Sequence, residues 1–240
     1  MNLYLSEKKF SEYNTILNIK DLIANELISQ TLFPVQTSDT GEEVLQQMQV
    51  YHVRHLPIVN HEQLLGVISE DDILIHEIKE AIGTYRLSFL RPYVIENEHL
   101  FEVMTKMGRF QLTVIPVIDK EENYLGVITM EDLLQYFATH FSFADPGSII
   151  VIESARGHYS LAEIARVAES EDITILSSFI NSIPDTNRIY ITLKLNRQDV
   201  AGFKATLERF GYEVSASFSE MEYHDGLKDR FDSLMSYLNI

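Results

Sequence analysis

The 240-residue sequence predicts an α+β fold: two similar units of about 60 residues, each a small sheet with two packed helices, followed by a βαββαβ unit. Three observations carry this. The stretch LLGVISEDDIL at residues 64–74 returns as YLGVITMEDLL at 124–134, with the glycine, the hydroxyl and the final acid in the same order. The match extends backwards, because His55-Leu56-Pro57-Ile58-Val59 precedes the first copy and Val114-Ile115-Pro116-Val117-Ile118 the second, with offsets of 59 at the prolines and 60 at Gly66 and Gly126. Beyond residue 141 this pattern stops and a different alternation begins.

Each repeat reads the same way. Val44, Leu45, Met48 and Tyr51 recur at helical spacing over residues 42–51, as do Leu100, Val103, Met104 and Met107 over 99–108. The apolar runs LPIV and LLGVI, separated by the polar NHEQ, predict a hairpin, and VIPVID, KEEN and YLGVIT predict a second. A further helix starts at Ser69 and at Thr129, where a hydroxyl precedes acids and then apolar residues. The repeats run from about residue 18 to 78 and from 79 to 140.

FADPGS at residues 143–148 joins proline to glycine and predicts a linker. After it, SIIVIES is a strand, and Leu161, Ile164, Ala165 and Ala168 mark a helix. ITILSSFI is a strand that ends at the turn from Ser182 to Asn187. Ile189, Ile191, Leu193 and Leu195 alternate as in a half-buried strand. Val200, Phe203, Leu207 and Phe210 form a second helical stripe, stopped by Gly211 before the strand YEVSASF. The order βαββαβ is that of a split-βαβ sandwich. Leu227, Phe231, Leu234 and Leu238 predict a C-terminal helix. The expected domains are therefore 1–78, 79–142 and 143–219, with a helix over 220–240.

Composition narrows function. The net charge of −17, from 36 acids against 19 Lys plus Arg, opposes binding to nucleic acid or an anionic membrane, which depends on clustered cations. A small anion is judged by its local donors, because charges beyond about 8 Å are screened at physiological salt. Zero cysteines exclude disulfides, thiolate metal sites and a cysteine nucleophile. There is no apolar run long enough to span a bilayer and no signal-peptide pattern at the start, so the expected compartment is the cytoplasm.

The paired motifs HLPIV with LLGVISEDDIL and TVIPVID with YLGVITMEDLL resemble a tandem pair of cystathionine-β-synthase (CBS) domains, the Bateman module, over residues 18–140. The remaining third resembles a ferredoxin-like ACT domain in its element order. A CBS pair followed by an ACT domain is the arrangement of acetoin-utilisation proteins of the AcuB kind. The resemblance implies an adenine nucleotide or adenosyl ligand, AMP, ADP, ATP or S-adenosylmethionine, in the cleft between the repeats. It implies Asp72 and Asp132 on ribose hydroxyls and Ser69 and Thr129 on phosphate. Arg54 and His55 stand where many CBS domains carry basic residues towards phosphate, and Ile58 and Val117 would sandwich the adenine. The second repeat has Thr113 and Val114 in place of Arg54 and His55, which puts a second phosphate-bearing site in doubt.

A plainer account stands beside this. Ser-x-x-Asp at a helix start is also a capping motif worth about 1 kcal/mol, and a hydroxyl can both cap a helix and face a ligand. Arg54 and His55 could simply lie on a solvated strand edge. Glu70, Asp71 and Asp72 point about 100° apart on a helix, so they cannot converge on one bare ion, and Mg²⁺ would enter only with a nucleotide's phosphates. In the ACT-like part, Gly157 fits the family's effector turn, whereas Arg156 replaces its usual proline.

No nucleotide-loop, zinc-protease or nucleophile-elbow motif is present, and too little chain lies outside the three units for a separate catalytic domain. The sequence is thus read as a non-catalytic, homodimeric regulatory module acting on an unidentified protein. The alternatives are a scaffold subunit with a vestigial nucleotide site and an amino-acid-responsive ACT regulator.

Overall fold

The structure is a computed structural model that describes residues 22–29, 31–86 and 91–219. The helix expected over 220–240 lies outside the described residues. The chain divides into two compact units, Met1–Tyr136 and Phe137–Ile240.

In the first unit the elements are α1 (Gly41–Val50), β1 (His55–Asn60), β2 (Gln63–Ser69), α2 (Glu70–Leu74), β3 (Val94–Ile95), α3 (Leu100–Phe110), β4 (Val114–Ile118) and β5 (Tyr124–Thr129), and α4 (Met130–His140) begins in it and runs past its end. Helix α1 starts in a capping box, with Thr40 Oγ1 accepting from the Glu43 amide and the Glu43 carboxylate accepting from the Thr40 amide. Both hairpins are antiparallel with matching register: Ile58 lies opposite Gly66 and Val117 opposite Gly126, and each has a bulge one residue later. A parallel neighbour completes each sheet, as a single bridge from Val35 to Ile58 in the first repeat and as β3 beside β4 in the second.

The repeats are not independent. Residues leading into the first repeat lie on the second: the Ala24 and Asn25 amides donate to the Glu98 and Glu96 carbonyls, and the Ser29 amide to the Val127 carbonyl. In return, residues leading into the second repeat lie on the first, where the Ile82 and Gly83 amides donate to the Asp39 and Thr37 carbonyls. One apolar cluster joins Val44, Met48, Leu56, Ile58, Ile68 and Ile73 of the first repeat to Val114 and Val127 of the second. Burial of this shared cluster couples the folding of the two halves.

The two copies of the motif do not give equal helices. Helix α2 has 5 residues, whereas α4 has 11. The chain after Leu74 turns back, so that Ile78 and Glu80 carbonyls accept from the start of α1 and the Tyr85 hydroxyl donates to the Glu77 carbonyl. Met104, expected on the buried stripe of α3, is 41% exposed, because Leu100, Val103 and Met107 already fill the inward face.

The second unit contains β6 (Ser148–Ala155), α5 (Leu161–Ser170), β7 (Ile175–Ser182), β8 (Arg188–Leu195), α6 (Ala201–Arg209) and β9 (Glu213–Ser219). Its sheet is antiparallel with strand order β7-β8-β6-β9, so β8 lies between the two strands joined by α5. That is the split-βαβ arrangement anticipated from the element order. Ile150, Ile152, Ile189, Ile191, Leu193 and Leu195 pack against Ile164, Val167, Phe203 and Leu207 of the two helices. Helix α6 ends before Phe210, which is exposed, and Tyr212 rather than Phe210 closes that end of the core. Gly211 makes the turn at φ +84°, a left-handed value that suits glycine.

Candidate functional site

Strand β2 ends at Ser69 and β5 at Thr129, and in both cases the next residue opens a helix. The two junctions have the same construction. Ser69 Oγ donates to Asp72 Oδ2 at 2.6 Å, the Ser69 amide donates to the same oxygen at 3.0 Å, and the Asp72 amide donates to Ser69 Oγ at 3.0 Å. Thr129 Oγ1 donates to Asp132 Oδ2 at 2.6 Å, the Thr129 amide at 3.3 Å, and the Asp132 amide donates to Thr129 Oγ1 at 3.0 Å. Each is a complete reciprocal cap. In each, Oδ2 accepts from one hydroxyl and one amide, while Oδ1 takes no hydrogen bond from the described residues.

The structure brings Ser69, Asp72, Arg54 and His55 together at the end of the first hairpin. The Arg54 carbonyl accepts from the Glu70 amide at 2.9 Å, and the Thr113 carbonyl does the same for the Met130 amide at 2.9 Å. The Arg54 side chain turns to its own helix: Nε reaches Glu70 Oε2 at 3.1 Å and Nη2 reaches both Asp71 oxygens at 3.3 Å. Both acids and Arg54 are largely exposed, so these ion pairs hold direction more than stability. His55 faces the other way, with Nδ1 accepting from the Thr113 amide at 3.3 Å and 3.1 Å from Thr113 Oγ1. Burial, and then the neighbouring Arg54, push the His55 imidazole below its usual 6.5, against the opposing pull of Asp72 and Asp71. His55 is therefore neutral near pH 7. The structure thus sets one exposed, acid-paired Arg beside one half-buried neutral His.

Ile58 and Val117 are elsewhere. They are 4% and 0% exposed and belong to the interior of the unit, each opposite a glycine across its hairpin. Strand alternation puts Ile58 on the same inward face as Leu56, and Val117 is buried likewise.

Thr113 is a contact residue that the sequence did not single out. It was visible only as the polar counterpart of Arg54, and its contacts to both Arg54 and His55 tie the second repeat to the first.

Two open depressions occur away from the motif. One, of about 300 Å³, is lined by Arg91, Tyr93, Glu98, Lys106 and Phe110 in the second repeat. The other, of about 520 Å³, lies in the second unit between Arg156 and the turn from Ser182 to Asn187. There Arg156 Nη2 donates to Ser182 Oγ at 2.8 Å, which ties the side chain to the hairpin. Among the described residues, no group of three His, Asp or Glu is placed to hold a metal ion, and no helix is long and apolar enough to cross a membrane.

Comparison with known proteins matches the CBS-domain family to residues 19–79 and 91–139. Inosine-5′-monophosphate dehydrogenase of Methanocaldococcus jannaschii is 22% identical over 151 residues, which is 62% of this chain and 30% of that protein. The chain thus spans less than a third of that curated relative. Among solved structures, a CBS domain pair/ACT domain protein of Thermotoga maritima aligns with a TM-score of 0.44 at 20% identity, over 48% of this chain and 95% of that one. CBSX2, solved in complex with AMP, aligns with a TM-score of 0.41 at 17% identity, over 47% of this chain and 93% of that one. With two family matches falling on the two motif-bearing repeats, the chain carries a tandem pair of CBS domains.

Proposed function

We propose that the CBS pair binds an adenine nucleotide or adenosyl ligand without catalysis, and that binding regulates a partner protein. One observation supports this most. The Ser69–Asp72 and Thr129–Asp132 pairs are built alike at two equivalent places, and each carboxylate keeps one oxygen for a donor such as a ribose hydroxyl. The ligand acts by its difference in affinity between arrangements of the repeats, which share a core and exchange their leading segments. The same proposal includes a homodimer, an ACT-like role for the split-βαβ unit, and domain limits at 78, 142 and 219. Mg²⁺ enters only with a bound nucleotide.

The completeness of both caps favours a second reading, a scaffold whose nucleotide site is vestigial, because the hydroxyls and carboxylates satisfy one another without a ligand. A thermal-shift panel of AMP, ADP, ATP, S-adenosylmethionine and amino acids separates the two. Ligand at about 100 times its Kd adds roughly 2.7 kcal/mol, which at about 2 to 4 °C per kcal/mol is a plain rise in Tm. A rise with an adenine compound supports the sensor, no rise with any of them supports the scaffold, and a rise with amino acids alone points to the second unit.

A further inference from the structure

We propose that the depression beside β3 in the second repeat is a binding site, separate from the two junctions, for a small monocarboxylate with an apolar body, held by the Arg91 guanidinium.

The depression has a volume of about 300 Å³, near the low end of the range for small-molecule sites. Arg91 Nε is shut away from solvent there, and none of the described residues accepts from it. A buried N–H without a partner is rare in a native protein. The one bond that Arg91 makes among the described residues runs from Nη1 to Glu122 Oε2 at 3.3 Å, and Glu122 is 67% exposed, so the pair contributes little. That bond leaves the Nε edge of the guanidinium, which takes a carboxylate side-on through two parallel N–H donors.

Lys106 has a different part. Its Nζ donates to both Glu98 oxygens at 2.8 Å and to the Tyr93 carbonyl at 3.1 Å, which uses all three ammonium donors and ties α3 to the start of β3. Arg91 Cζ and Lys106 Nζ lie 5.7 and 5.8 Å from the centre of the Tyr93 ring, so two cation–π contacts fix that ring in place. Phe110, at the end of α3, adds a second aromatic surface.

The repeat architecture does not require these groups. At the equivalent places, 59 residues earlier, the first repeat has Leu32 for Arg91, Pro34 for Tyr93 and Gln47 for Lys106, yet its Val35 bridges to Ile58 as Val94 pairs with Val117. The loop acid is common to both, since Asp39 accepts from the Gln36 amide as Glu98 does from the Ile95 amide. What the second repeat adds is the two cations and the ring.

Charge and shape set the ligand class. One carboxylate finds its partner at Arg91, whereas each further negative charge meets Glu98 and Glu122. Arg109 stands over the Phe110 ring and does not line the depression. Pro92, Tyr93, Ile95 and Phe110 offer apolar contact to an aromatic or branched body.

The test is a ligand-observed NMR titration of the full chain with benzoate, phenylacetate and 3-methylbutanoate, in a buffer free of carboxylate and phosphate. At least one should bind, with its neutral amide, acetate and inorganic phosphate each at least about tenfold weaker. Arg91→Gln should weaken the best acid by at least about tenfold, and Arg91→Lys, which keeps the charge and loses the fork, by about threefold or more. Melting temperatures separate lost binding from lost folding, and Phe110→Ala, at an exposed position, should weaken the acid by about threefold in a chain that folds normally. Asp72→Asn and Asp132→Asn should leave it within about twofold, so the outcome is independent of the adenine reading. No binding by any of the three acids, binding undiminished in Arg91→Gln, phosphate as tight as the best acid, or loss of the acid in the Asp72 and Asp132 variants overturns the inference.

Discussion

Arg54 and Thr113 hold equivalent places in the two repeats, 59 residues apart, and are hydrogen-bonded to each other, the Arg54 amide donating to Thr113 Oγ1 at 3.0 Å. A pseudo-symmetric pair must bring some equivalent positions together at its axis, as here and at the bridge between Gln63 and Asn123. The exchange is unequal. Thr113 also serves His55 through its amide and hydroxyl, so one small polar side chain joins two residues of the opposite repeat.

Thr113→Val keeps the shape of that side chain and removes its hydroxyl. The Arg54 amide loses its acceptor and His55 Nδ1 keeps only the amide of residue 113, so stability should fall by about 1 to 2 kcal/mol. Urea denaturation measures this, and Thr113→Ser should recover most of the loss. A Thr113→Val chain as stable as wild type would show that the contact contributes nothing.

The lowered His55 pKa makes stability depend on pH. In the unfolded chain the imidazole titrates near its ordinary 6.5, and in the folded chain it titrates lower, so between those values the unfolded state binds more protons. The contribution of neutral His55 is fully present above about pH 6.5 and is lost as pH falls through the folded pKa. Melting temperatures measured from pH 7.5 downwards should show this fall, and His55→Gln should remove that part of the slope.

Gly126→Ala tests the crossing of the leading segment. A Cβ on Gly126 would collide with Ile28 Cγ2, and its φ of +156° suits no side chain well. Ile28 follows the residues that hydrogen-bond to Glu96 and Glu98, so the substitution pushes on the segment laid across the second repeat. A loss of about 1 to 3 kcal/mol is expected, as for other overpacked interiors. Combining it with Ile28→Ala should restore part of the loss, and a double variant no better than Gly126→Ala would place the strain elsewhere.

Asp72→Asn and Asp132→Asn separate capping from ligand binding. An asparagine oxygen can still accept from the Ser69 or Thr129 hydroxyl, so each variant should lose under about 1 kcal/mol of stability. A ribose held by the ionised carboxylate should instead bind at least about tenfold more weakly, since hydrogen bonds to charged groups are worth roughly 1.5 to 3 kcal/mol. Calorimetry with the ligand found in the panel shows which of the two junctions is occupied. Unchanged binding in both variants would remove the ribose assignment.

Much of this was legible in the residues because it is local. A repeated Gly-apolar-apolar-Ser/Thr-x-x-Asp string determines a strand that ends in a hydroxyl cap, since both the alternation and the capping bonds act within a few positions. The hairpins, the opening of α2 at Glu70 and of α4 at Met130, and the order of the last unit follow for the same reason. Even the turn at Gly211 that follows α6 was readable, because glycine turns easily at positive φ.

The tertiary structure decided what depends on distant partners. Helix α2 stops after Leu74 because the chain there pairs with the start of α1, and no periodicity near Leu74 announces this. Ile58 is interior because the shared core of the two repeats closes over it, and Val117 is buried within its own repeat, although in the strands both read like any apolar residue beside a motif. The leading segments cross between repeats through backbone bonds, which carry no side-chain signature. The direction of Arg54, towards Glu70 and Asp71 and away from Thr113, was likewise open until the fold placed all four together. By itself the sequence determined which groups stand at each junction; the fold alone determined which of them remain free to meet a ligand, because every bond made within the protein is a donor or acceptor withdrawn from it.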